Sequence, residues 1–231
     1  GIIAGAAGSS SMPGSDGATL SGSIEVISEP DLVNDRPLGI PLTVKAPGAG
    51  SSVVSVSSAT DGTFSLSGVS PNTSLWMGVG AFSGDAASTY VDTLQLIDLS
   101  QASEPTLRVL RRDVLELIVQ DSFLATPIQL DPAAATVIVN FLDVQGKGIS
   151  GLTLLQSNPA ASNLAYDFGQ AYSDQAEQTS QRGSLLLVNV PSSPDPGSVT
   201  SLAAIGNGRR YDLDLHTVAG GVSIVTVQQS P

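Results

Sequence analysis

Two stretches set about 120 residues apart decide the architecture: "TDGTFSLSGVSP" from Thr60 to Pro71, and "RGSLLLVNVP" from Arg182 to Pro191. Each places a glycine in a turn and follows it with an extended run, in which Phe64, Leu66 and Val69 match Leu185, Leu187 and Val190. Upstream, Leu42-Thr43-Val44 matches Leu152-Thr153-Leu154. The order strand, loop, strand, glycine turn, strand therefore occurs twice, and two copies of one β-module explain it more economically than two unrelated domains. The copies differ in length, because Leu42 lies 20 residues before Gly62 and Leu152 lies 31 before Gly183. The second copy thus carries an eleven-residue insertion.

A chain of 231 residues suits two such modules. Its composition, 41% hydrophobic and 13% charged with 24 glycines and 14 prolines, is that of a turn-rich β protein. Alternation supports strands through the first module. Leu20, Gly22, Ile24 and Val26 share one parity, Val54 and Val56 continue the pattern, and Leu75, Met77, Val79 and Ala81 extend it around Trp76, which is expected in the core. "TYVDTLQLIDL" ends this module, and in the second Val137, Val139 and Phe141 alternate. Between them the period changes to three and four, through Leu107, Leu110, Val114 and Leu117 or Ile118. Residues 111–123 lack Gly and Pro, so one helix is expected there. Period alone leaves "TLRVL" open as its first turn or as a last strand.

The glycine-turn patterns "GIPLTVKA" with "SSATDGTFSLSGVSP", and more loosely "GKGISGLTLL" with "RGSLLLVNVP", resemble the carboxypeptidase regulatory-like domain, a transthyretin-like sandwich. The resemblance covers about residues 20–100 and 133–228, and the second copy departs by placing Gln181-Arg182-Gly183 where Thr-Asp-Gly is usual. It implies an all-β fold of two transthyretin-like or Ig-like Greek-key sandwiches joined by a short helical segment. It also implies a non-catalytic role as spacer, adhesion or binding module on an exported protein. The expected division is a flexible tether over 1–17, a first sandwich over 18–102, a connecting segment over 103–131 and a second sandwich over 132–231.

Charge and composition narrow the function further. Twenty-one acids against nine bases give a net charge of −12, which repels phosphate backbones and disfavours nucleic acid and anionic membranes. The absence of cysteine excludes disulfides, thiolate metal sites and thiol nucleophiles. The longest apolar runs, "LELIV" and "LLLV", fall far short of the ~20 residues that span a bilayer. With a small-residue tether at the front, export is the expectation, through a signal peptide or a lipid-carrying cysteine further upstream. The expected place is extracellular, outer-membrane-anchored or periplasmic, facing an unidentified protein or glycan.

Chemical motifs are few. "GKGISG" at 146–151 has glycine spacing suited to pyrophosphate, but the pattern that follows is a strand rather than the helix such a site needs. "YDLDLH" puts Asp212, Asp214 and His216 on one strand face, neighbours about 7 Å apart, which reads as a metal or acid/base face or as a solvated one. Glu29, Asp31, Asn34 and Asp35 gather hard oxygen donors in one loop, suited to calcium or to an ordinary turn. Lys45 and Lys147 are the only lysines from which an isopeptide cross-link could be drawn. No cofactor, metal or catalytic residue is assigned. The insertion, "SNPAASNLAYDFGQAYSDQAEQ", concentrates Tyr166, Phe168 and Tyr172 beside Asp167 and Asp174. These five are the expected ligand-binding residues, as a partly exposed aromatic patch with acids at its rim. The competing reading folds the rings inward to cover a sandwich edge. Carbohydrate recognition is the alternative function, weakened by an aromatic content of 4%, and a hydrolase built on Asp212, Asp214 and His216 is a further one.

Overall fold

The computed structural model describes residues 18–28, 34–35, 41–47, 53–69, 74–83, 88–99 and 104–230. The fold is all-β, two sandwiches with one helix between them. The first contains β1 (Ala18–Ile27), β2 (Asn34–Asp35), β3 (Thr43–Pro47), β4 (Val53–Ser57) and β5 (Thr63–Val69). It continues with β6 (Ser74–Gly80), β7 (Tyr90–Val91), β8 (Thr93–Asp98) and β9 (Thr106–Arg111). After helix α1 (Arg112–Ser122), the second contains β10 (Ala134–Leu142), β11 (Thr153–Asn158), β12 (Asn163–Phe168) and β13 (Ala171–Ser173). It ends with β14 (Ser184–Pro191), β15 (Ser198–Gly206), β16 (Arg209–Thr217) and β17 (Val222–Gln228). The "TLRVL" segment is thus a strand, held by parallel pairing of residues 106–110 with 23–27.

The pairing repeats as the sequence does. β1 lies antiparallel to β5 and parallel to β9, just as β10 lies antiparallel to β14 and parallel to β17. β3 pairs with β6 as β11 pairs with β15. Both turns carry their glycine in the left-handed region, Gly62 at φ 85° and Gly183 at φ 63°. At Gly183 a Cβ would also stand 2.4 Å from the Phe141 carbonyl oxygen, so the site excludes a side chain twice over. Six residues further on, each copy has a second left-handed residue, Gly68 in β5 and Asn189 in β14. Each coincides with a register shift that bulges the strand and returns Val69 or Val190 to the core face. Asn is among the few non-glycine residues that visit this conformation, and here its amide is held by the segment before β10. Asn189 Oδ1 accepts from the Asp131 amide at 2.9 Å and Nδ2 donates to the Gln129 carbonyl at 2.9 Å.

The two sandwiches share a sheet. A nine-stranded sheet runs β13-β12-β14-β10-β17-β8-β6-β3-β4, and its two halves are joined where Val222–Ile224 pair in parallel with Thr93–Gln95. Facing the β8-β6-β3-β4 half is the sheet β2-β1-β9-β7 with β5 against β1, and facing the β13-β12-β14-β10-β17 half is the sheet β11-β15-β16. Thr93 and Gln95 stitch sheet to sheet: the Leu110 amide donates to Thr93 Oγ1 (3.0 Å), the Arg108 amide to Gln95 Oε1 (3.1 Å), and Gln95 Nε2 to the Arg108 carbonyl (2.8 Å).

Three apolar cores follow from this layering. One fills the first sandwich around Ile24, Val44, Met77 and Leu107, and another fills the second around Val139, Phe141, Leu187 and Leu202. The third lies between them. There Val114, Leu115 and Val119 of α1, and Phe123 just after it, pack on Ile138, Leu186, Val188 and Val222, with Ile27 and Leu110 from the first sandwich. β14 is therefore covered on both faces, which is why "LLLV" reads as an apolar run rather than an alternation. Trp76 sits at this junction and not inside the first core. It is half-buried, packs against the second sandwich's core and tilts against the His216 ring at 5.3 Å.

Candidate functional site

The insertion does not form a loop on the surface. Its β12 crosses to pair with β14, and β13 turns back on β12. Strand alternation then sends side chains to opposite faces of the shared sheet. Tyr166 is 5% exposed on the side of the second sandwich's core, and its hydroxyl accepts the Leu154 amide at 2.8 Å. Tyr172 is 7% exposed on the helix side and meets Ser184 Oγ at 2.7 Å. Burial raises the pKa of both phenols above the ordinary tyrosine value, with the hydrogen bonds to Leu154 and Ser184 opposing it.

Asp167 is wholly buried, and its carboxylate holds the glycine turn of the second module. Oδ1 accepts the amides of Ser180 and Ser184, each at 2.9 Å, while Oδ2 accepts the Ser180 hydroxyl at 2.8 Å and the Arg182 amide at 2.9 Å. The expected single aromatic patch is therefore corrected. Tyr166 and Tyr172 point into different cores, Asp167 is inside rather than at a rim, and Phe168, 71% exposed at the hairpin tip, stands apart from both rings. Asp174 is partly exposed, and its amide donates to the Ser122 carbonyl at 3.0 Å, pinning the hairpin to the end of α1. The pairing of an insertion with a neighbouring strand was not readable from its aromatic density; the alternation of Ala165, Asp167 and Tyr166 was the available signal.

The "YDLDLH" face is a strand face whose members have separate local partners. Asp212 pairs with Arg210 at 2.8 Å, which lowers the Asp212 pKa; Asp214 accepts the Ser201 hydroxyl at 2.5 Å; His216 Nδ1 lies 3.1 Å from the Pro196 carbonyl. No group of three or more His, Cys, Asp or Glu that could hold a metal occurs among the described residues. The "GKGISG" segment is a turn, with Gly146 and Gly151 in the left-handed region and strand β11 after it. Lys45 Nζ lies 4.3 Å over the Phe82 ring. Of the 29–35 loop, residues 29–33 lie outside the described residues, and Asn34 and Asp35 are described only in their backbone pairing with β1.

The structure instead assembles a cleft that no motif announced. It has a volume of about 160 Å³ and lies where α1, the hairpin β12–β13, the outer face of β10 and β17, and the ends of β1 and β9 converge. Its floor is aliphatic: Ile27, Leu110, Ile118, Ile138 and Ile224, with the Tyr172 ring beside them. Its polar lining includes Arg108 from the first module, Asp121 from the helix and Arg182 from the second. Arg182 is held in place, its Nη1 donating to the Gln170 carbonyl at 2.8 Å and its guanidinium lying 5.2 Å over the Tyr172 ring. No salt bridge within 4.0 Å joins Arg108, Asp121 or Arg182 to one another or to any other described residue.

No family model and no curated protein matches the chain. Among solved structures, the chain is similar to a streptococcal ancillary pilin, with 13% identity and a TM-score of 0.26 over 91% of this chain and 68% of the pilin. It is similar to the BSP domain of a biofilm-associated protein, with 15% identity and a TM-score of 0.23 over 89% of this chain and 27% of that one. A major pilin from Streptococcus pyogenes gives 11% identity and a TM-score of 0.22 over 93% and 98%. At TM-scores this low, the likenesses leave the reading of the molecule to its own residues.

Proposed function

We propose that the chain is a non-catalytic, load-bearing spacer of an exported protein, on the cell surface or in the periplasm. One observation carries this reading: in each module the first and last strands run parallel and side by side. β1 and β9 pair over five residues and β10 and β17 over seven. Tension that enters at the start of β1 and leaves at the end of β17 loads these ladders in shear, so their hydrogen bonds must break together rather than one after another. Neither terminal strand is at an edge. β1 lies between β5 and β9, and β17 between β10 and β8, so each is held on both sides. The carboxypeptidase regulatory-like assignment belongs with this proposal, since such domains serve as spacers and stabilisers on exported proteins.

The test is single-molecule force spectroscopy with two attachment geometries. Handles at residues 18 and 228 apply shear. Handles at 18 and 69 pull on the adjoining ends of the antiparallel pair β1 and β5 and unzip it. The expected result is a markedly higher rupture force in the first geometry at equal loading rate. Equal or lower force in shear overturns the spacer reading.

A further inference from the structure

We propose that the cleft between the two modules binds a small carboxylate with an apolar body, of the size of benzoate or a branched short-chain fatty acid. The volume of about 160 Å³ admits one ring or a few methylenes and no more. It is close to the 150 Å³ that suffices for benzene in an apolar cavity. Five aliphatic side chains and the Tyr172 ring call for an apolar body, which inorganic sulfate or phosphate lacks. The charge on the lining calls for an anion. Two guanidiniums against the one carboxylate of Asp121 make this spot locally positive on a chain of net charge −12.

The guanidiniums differ in readiness. Arg182 is already oriented by Gln170 and Tyr172 and has donors beyond Nη1 to offer, so it loses little freedom on binding. Arg108 is exposed and forms no salt bridge, so it can close over the ligand from the first module. A carboxylate gripped by both would tie β9 to the turn before β14 across the seam. This site does not depend on the spacer reading, and its test does not involve force.

The experiment is a titration of the intact chain, followed by methyl NMR of the isoleucines, with benzoate, with the neutral isostere benzyl alcohol, and with sodium sulfate at matched ionic strength. Benzoate is expected to shift Ile27, Ile138 and Ile224 with a Kd of about 1 mM or tighter. Arg108→Gln, at an exposed side chain, should weaken benzoate about fivefold or more and leave benzyl alcohol unchanged. Thr226→Trp, which fills the mouth from another exposed position, should abolish both. No shifts at these isoleucines with benzoate overturn the proposal. So does equal binding of benzyl alcohol, which would leave only an apolar cavity, or competition by sulfate at equal concentration, which would leave only an anion site.

Discussion

In the first module Thr63 donates its amide and its hydroxyl to Asp61, two residues earlier in the same turn, at 3.0 and 2.7 Å. In the second, the equivalent Ser184 donates its amide to Asp167, 17 residues earlier on β12. The turn needs a carboxylate in both copies. Where the second copy has Gln181-Arg182 in place of Thr60-Asp61, the insertion supplies the acid from another strand, and an exposed local contact becomes a buried long-range one. The strands after the two turns differ in the same sense. β5 turns Thr63, Ser65 and Ser67 to solvent, whereas β14 turns Ser184, Leu186 and Val188 beneath α1 and the hairpin. A module with one dry face has become one with two, and its insertion and helix are the cover.

The largest expected effect is at the relocated acid. Asp167→Ala leaves the amides of Ser180, Arg182 and Ser184 without their acceptor in a dry site, and should destabilise the fold by about 4 kcal/mol in urea melts. Asp61→Ala, at an exposed turn, should cost about 1 kcal/mol or less. Equal losses at the two positions would break the comparison. Next come the outer faces. Leu186→Ser places the first module's residue under the helix and should cost about 3 kcal/mol, while Ser65→Leu, on a solvent face, should stay within about 0.5 kcal/mol. Thermal melts of this reciprocal pair sharpen the distinction between one-sided and two-sided burial.

Much of this was legible because local chemistry repeats. Gly62 and Gly183 announced the turns, the period of 3.6 announced α1, and the contrast between "FSLSGV" and "LLLVNV" already recorded which strand has two dry faces. The site was not legible, for a physical reason. Its floor takes Ile27 and Leu110 from β1 and β9, paired within the first module, and Ile138 and Ile224 from β10 and β17, paired within the second; the two pairs meet only where the parallel pairing of β17 with β8 joins the modules. No window of sequence contains that contact. Aromatic density in the insertion misled for a related reason, since Tyr166 and Tyr172 serve the core through their hydroxyls as much as through their rings.

The crossover itself can be probed through pH. Asp92 stands where β8 begins, its carbonyl accepting the Val222 amide at 2.8 Å and its carboxylate accepting the Phe82 amide at 2.8 Å. Burial raises its pKa above 3.8, with the Phe82 amide and the charges of Lys45 and Arg112 opposing the shift. The folded state therefore holds this proton more tightly than the unfolded chain. Its contribution is fully present below the unfolded pKa and is lost as pH rises through the folded one. Asp92→Asn keeps an oxygen for Phe82 and removes the titration. The variant should be more stable than the parent at pH 7, and the gap should close towards pH 3. A gap that stays constant with pH would place the origin of the effect elsewhere.

The smallest effect is expected at the hairpin tip, where the insertion's three rings part company. Phe168 is 71% exposed, follows the buried Asp167 and precedes Gly169, which takes the left-handed conformation that turns the chain into β13. Its ring has little packing to lose, so Phe168→Ser should change stability by about 0.5 kcal/mol or less. Tyr166→Phe keeps the ring in its core but removes the hydroxyl that receives the Leu154 amide, and should cost about 1 kcal/mol. If Phe168→Ser proves as costly as Tyr166→Phe, the tip is packed against something in solution. The second module's cover would then extend past the helix and hairpin that now bound it.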